Sequence, residues 1–327
     1  MEKERKSSHM KTIFRCATAL LAVALCGAQT PSTGANAIVF AGAGYHVPSP
    51  SLDVAPGQVI VLHVHGVTAN IDSNLTPVPG SSGFPHVLNG ISVDLMQGKA
   101  ATVTSLELRA AYQTHCFNPC STLTGITLQI PFELETDFAA QDDPFPWLRI
   151  NENGKPVGGV LLRPVSDNVH VINTCDDTQV FISAAISVPQ NVCAHDVMVG
   201  GALNSLYNLA HAGDQLAVWL YGMGAKTQQA PDCCFSPDQL SKPVQRFELN
   251  FDFRPNAPAF PVVPGFGLTS APLFAAYVGG GAYQVNFAVP SVPAGLPACD
   301  GVRIKSNLTV TVTGPNSSDA AQICVAP

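Results

Sequence analysis

Charged side chains are scarce in this sequence. Asp, Glu, Lys and Arg supply 12% of its 327 residues, about half the usual share of a soluble domain. The solvent faces of long helices normally carry many Glu and Lys, so the shortage argues against a helical fold. Basic residues are the rarer sign, 16 against 23 acidic ones, which makes nucleic acid or an anionic membrane surface a poor partner. Beyond the N-terminal region there is no long apolar run, so no transmembrane segment is expected in the mature chain. The G-x-S-x-G nucleophile elbow is missing. Gly279-Gly280-Gly281 lacks the lysine that follows in a phosphate loop, and reads as a tight loop ahead of a strand. Asp142-Asp143 and Asp176-Asp177 sit in turn contexts. His195 and Asp196 are neighbours that a strand would point to opposite faces. These absences predict no enzyme and no cofactor.

What is present begins with an export signal. Lys3, Arg5, Lys6, Lys11 and Arg15 precede an apolar run from Ala17 to Leu25 that is too short for a membrane anchor. Cleavage is expected after Ala28, giving a signal peptide of residues 1–28, with the alternative after Ala37. Leu25 stands before Cys26 where a lipoprotein signal needs a small residue. The mature chain is therefore expected outside the cytoplasm: extracellular, periplasmic or on the cell surface. Without residues 1–28 its net charge is −10, from 11 basic and 21 acidic side chains.

Ten cysteines become eight after cleavage, an even number that reads as a disulfide framework in an exported chain. Local spacing suggests Cys116–Cys120, Cys175–Cys193 and Cys299–Cys324. Cys233 and Cys234 are adjacent and either bridge each other or reach elsewhere. Cys116, Cys120 and His115 also have zinc-like spacing, but thiols this close oxidise first in an oxidising compartment.

The chain also resembles itself. Gly57–Gly66 matches Gly213–Gly222, 156 positions on, and Ile91–Leu95 matches Phe247–Phe251 at the same offset. Gly125–Pro131 then corresponds to Ala282–Pro290, with the two prolines 159 apart. Alternating apolar and polar residues in these blocks indicate strands with one buried face. Short strands broken by frequent Gly, Pro, Asn and Asp predict an all-β chain: two tandem Ig-like β-sandwich domains, 38–165 and 168–327, joined near 163–170.

Two groups of residues are candidates for a site. His63-Val64-His65-Gly66 resembles the HxHG strand with which multicopper oxidases hold copper. The other His pairs and the His-flanked Cys of such a site are missing, and the aligned copy has Trp219 and Tyr221 instead. His63 and His65 are thus weak metal candidates, and packing or a surface contact is the simpler reading. Phe145 and Trp147, in a Pro-rich segment, and Trp219 are candidate binding aromatics that stack on sugars or dock on a protein. The alternative is that such aromatics plug the ends of the sandwiches.

These stretches carry a resemblance. PGQVIVLHVHG, LNGISVDL and GITLQIPFEL in the first half are similar to an acidobacterial (Solibacter-type) secreted C-terminal domain family, which itself resembles paired Ig-like IPT/TIG modules. GDQLAVWLYGMGAKT, FELNFDFRPNAP and GAYQVNFAVPSVPAGLPACD carry it in the second half. The resemblance implies a bacterial exported protein with an Ig-like fold and Cys175–Cys193 and Cys299–Cys324 bridges. HVHG and the cysteines at 116, 120, 233 and 234 depart from the family pattern. It transfers no catalytic residues. The expected function is a non-enzymatic binding, adhesion or structural module of the cell envelope or extracellular space, with a protein or glycan ligand. The alternatives are a carbohydrate-binding module and an undetected hydrolase or copper-oxidase-like enzyme.

Overall fold

In the stretch Gln215–Tyr221, Leu216, Val218 and Leu220 are buried while the residues between them are half-buried or exposed. A pleated strand with one covered face requires this alternation. The same rhythm buries Tyr283, Val285 and Phe287 in Ala282–Ala288. The computed structural model describes residues 37–41, 51–65, 67–71, 83–98, 102–115, 122–136, 146–173, 197–227, 240–257 and 268–327. The leader, Phe145, His195 and every cysteine expected to bridge, other than Cys299 and Cys324, lie outside them. The fold is all-β: among the described residues there are 19 strands and no helix.

The first nine strands are β1 (Ala37–Ala41), β2 (Ser51–Val54), β3 (Val59–His65), β4 (Ile91–Gln97), β5 (Thr102–Ser105), β6 (Leu108–His115), β7 (Thr122–Gln129), β8 (Trp147–Glu152) and β9 (Lys155–Pro164). They form two sheets, ordered β1-β3-β7-β6 and β2-β9-β8-β4-β5. Between the sheets lies one apolar cluster, with Leu62, Ile126 and Leu128 from the first and Val93, Leu148 and Leu162 from the second. Asn153-Gly154, both at positive φ, turn β8 tightly back into β9, the arrangement an Asn-Gly hairpin favours.

The other ten are β10 (His170–Val171), β11 (Val197–Val199), β12 (Ala202–Leu203), β13 (Gln215–Tyr221), β14 (Glu248–Asp252), β15 (Leu268–Ser270), β16 (Phe274–Gly279), β17 (Ala282–Ala288), β18 (Leu308–Thr313) and β19 (Ser318–Ile323). Their sheets run β12-β11-β13-β17-β16, with β10 also on β13, and β15-β14-β18-β19. A second cluster fills the space between, including Leu220 and Phe287 from one sheet and Phe251 and Val310 from the other. Strand order thus recurs: β3-β7-β6 is matched by β13-β17-β16, and β5-β4-β8-β9 by β15-β14-β18-β19. Registers recur too. Val59 faces Gln129 on β7 and Gln215 faces Ala288 on β17, the strand starts being 156 positions apart as the sequence alignment requires.

The two halves grip each other. Phe132, just past β7, meets Tyr277 edge to face at 5.2 Å, with the Lys226 ammonium 4.2 Å from its ring centre. In return, the turn Gly279-Gly280-Gly281 comes up against the first half: a Cβ on Gly281 would stand 2.5 Å from Val59 Cγ2 and 3.0 Å from the Gly57 carbonyl. The join is held as well. Buried Asp167 accepts hydrogen bonds from the Ser317 amide and hydroxyl at 2.9 and 2.8 Å, and Asn168 donates to the Asp53 carbonyl at 3.0 Å. Gly281→Val is expected to cost roughly 2 kcal/mol or more, because crowding is added to a left-handed φ. Gly154→Ala, at similar φ with nothing within 4 Å, should cost only about 1 kcal/mol. Equal losses in chemical denaturation would show that Gly281 is not crowded between the halves.

Candidate functional site

Strand register decides what His63 does. His63 on β3 pairs with Gly125 on β7, which pairs with Tyr112 on β6, so the three lie side by side on one sheet face. A Cβ on Gly125 would collide with the Tyr112 ring. Glycine there lets the phenol lie across β7, and its hydroxyl comes to 3.0 Å from His63 Nε2. His63 is 1% exposed. Burial pushes its pKa from 6.5 down to about 4 and that of Tyr112 up to about 12, so both groups are neutral near pH 7. A neutral, enclosed imidazole bonded to a phenol serves packing, and it is in a poor position to trade protons with a substrate. In the second half, the matching three positions hold Trp219, Gln284 and Ala276; the large ring has moved from the outer strand to the inner one. The His65 side chain lies outside the described residues. Among the described residues no three His, Cys, Asp or Glu side chains converge as metal ligands.

The structure brings more together around Trp147. The sequence reading put it in a Pro-rich loop or as a plug at a sandwich end; instead it opens strand β8 and sits on a sheet face. Pro144 and Pro146 interrupt the chain only up to the residue before it, and from Trp147 onward every ladder position can donate. Val93, Leu95, Leu148, Ile150 and Leu162 point into the core, so the residues between them face outward. Trp147 pairs with Leu161 on β9 and Met96 on β4, and Met96 pairs with Val103 on β5. The result is an outward apolar row across four strands, in which Leu161 is 50% and Val103 49% exposed. The indole lies over Gly159, where a Cβ would be 2.6 Å from its Cζ3.

Two and four residues along the strands follow two polar pairs, Arg149–Asp94 and Asn151–Ser92. Arg149 Nη2 donates to Asp94 Oδ2 at 2.8 Å, and Asn151 Nδ2 donates to the same oxygen at 2.8 Å and to Ser92 Oγ at 3.2 Å. Burial alone would raise the Asp94 carboxyl, but the hydrogen bonds from Arg149 and Asn151 and the guanidinium charge hold it below the ordinary carboxylate range. It therefore stays ionised and is neutralised by its partner. Sequence reading missed these pairs and the companions of Trp147. The alternation in WLRINE and ISVDLMQ marks which of these residues face out, but not that the two strands are neighbours.

The remaining candidates disperse. Trp219 is half-buried on β13, in the other half of the chain. Cys299 and Cys324 form the expected disulfide. Phe145, Cys116, Cys120, Cys175 and Cys193 lie outside the described residues. No described helix is long and apolar enough to cross a membrane. Compared with protein-family models and with curated proteins, the chain matches none.

Proposed function

We propose that this is an exported, non-catalytic binding protein of two tandem Ig-like sandwich units, 38–165 and 168–327, that meets its ligand on the outer face of β9-β8-β4-β5. One observation carries the binding role. Leu161, Trp147, Met96 and Val103 form a continuous apolar row facing away from the core, and rows of this kind on an outer face mark interaction surfaces. Matched strand order and register in the two halves support a duplicated unit. The Cys299–Cys324 bridge supports an oxidising compartment, in line with the leader and with the likeness to the acidobacterial secreted family. Cleavage after Ala28 leaves β1 whole, whereas cleavage after Ala37 would remove its first residue.

Sedimentation with isolated bacterial envelopes tests the role. The mature chain should pellet with them, and the double variant Leu161→Asp, Val103→Asp should lose about tenfold in affinity, as two interface anchors would. Both sites are half-exposed, so the fold should tolerate the change and circular dichroism should match. Equal pelleting of the two proteins, or of neither, removes the binding role from this face.

A further inference from the structure

The geometry points to a neutral polysaccharide as the ligand of this face, its sugar rings stacked on Trp147 and its hydroxyls bonded to the Arg149–Asp94 pair beside it. The inference rests on the face being the binding surface proposed above, and names what binds there.

Charge complementarity selects the class. The mature chain carries a net charge of −10, yet this face is balanced. Arg149 is bonded to Asp94 at 2.8 Å and, at its edge, Arg163 to Asp53. The remaining cation of these strands, Lys155, stands exposed at the β8–β9 turn, the opposite end of β8 from Trp147, so no surplus cation adjoins the Trp147 row to recruit an anionic polymer, and the overall charge repels one. A basic protein would find no uncompensated acid.

The pattern of these groups narrows it further. A pyranose has an apolar C–H face and a rim of hydroxyls that both donate and accept. The face offers the same two parts side by side: an indole in an apolar row, and roughly 7 Å along the strands the Arg149–Asp94 pair, a donor beside an acceptor, backed by the buried Asn151 one pair further on. The apolar row runs perpendicular to the strands, and the polar groups extend along β8 and β4 from the Arg149–Asp94 pair to Asn151 and Ser92. A sugar ring stacked on Trp147 would turn its hydroxyl rim toward the Arg149–Asp94 pair, the next outward pair along β8 and β4. The polar pairs are already cross-bonded, so their side chains lose little freedom on binding, which favours affinity. Gly159 is part of the device, because any side chain there would lift the indole off the sheet.

Affinity electrophoresis of the mature chain against soluble neutral glucan, xylan and mannan, with polygalacturonate as the anionic comparator, is the test. Retardation by at least one neutral polymer is expected, with affinity within about twofold across salt concentrations that abolish long-range charge effects. Trp147→Ala should weaken it about tenfold and Gly159→Val should weaken it as well. Tyr207→Ala, which removes a 98% exposed ring in the second half, should leave it unchanged. Trp147→Phe should retain part of the binding, which separates stacking from misfolding. Retardation by polygalacturonate alone, or equal binding by Trp147→Ala and the native chain, overturns the assignment. So does face-dependent pelleting with envelopes in a chain that ignores every neutral polymer; that result leaves the binding role standing and removes only the glycan.

Discussion

Acidification from pH 7 to pH 4 is expected to remove roughly 3 kcal/mol of folding stability through one side chain, His63. Burial lowers its pKa from 6.5 to about 4. Between those values the unfolded chain holds a proton at this ring that the folded chain refuses, so stability falls as pH falls through the window. Above about 6.5 the contribution is fully present, and below about 4 it is spent because both states are protonated. Among the described residues, three carboxylates with lowered pKa, Asp94, Asp300 and Asp319, release their own contributions as pH falls below the ordinary carboxylate value of 3.8, outside this window. Urea unfolding at pH 7 and pH 4 reads the loss. His63→Gln keeps a group able to bond the Tyr112 hydroxyl and removes the titration, so its two curves should lie closer by most of that amount. If the variant and native chain lose the same stability on acidification, His63 is not the buried neutral group described.

Loss of the Cys299–Cys324 bridge should have an effect of similar size. The cysteines are 25 residues apart, and opening a loop of that length frees the unfolded chain by about 3 kcal/mol in the chain-entropy account. The loop contains β18, a strand of the second core, and all of β19. Native geometry at that end has other supports. Asn204 receives the Cys324 amide at 2.8 Å and donates to its carbonyl at 2.9 Å, and Asn307 bonds the Val325 amide and carbonyl at 2.8 and 2.9 Å. The variant Cys299→Ala, Cys324→Ala should therefore keep its strand signature in circular dichroism while its thermal midpoint falls by several degrees. An unchanged midpoint would mean that the bridge constrains nothing the unfolded chain was free to do.

Strand content was legible because it depends on local order. Alternation in Gln215–Tyr221 and the offset that joins it to Val59–His65 need no knowledge of neighbours in space, and the two strands occupy those limits. The fate of His63 was half legible. Trp219 at the aligned position argued for packing, but Tyr112 is 49 residues away and no spacing rule connects them. Trp147 was visible as an aromatic and misplaced in a loop, because flanking prolines outweighed the alternation of the five residues after it. Its companions Met96, Val103 and Leu161 come from three separate strands, and only the order of the sheet gathers them. Nothing local singles out Asp167 either; its worth lies in donors at 316 and 317, nearly half the chain away.

That carboxylate has a consequence for how the molecule meets other enzymes. A protease must draw an extended stretch of its substrate into a cleft. The join between β9 and β10 has no such stretch to give. Its carbonyls at 166 and 168 lie against Gly224 and Gly222, which have no side chains to hold them off, while Asp167 is turned inward onto the β18–β19 turn. Digestion should therefore spare the join, and the two halves of the chain should tumble as one hydrodynamic body rather than as beads on a string.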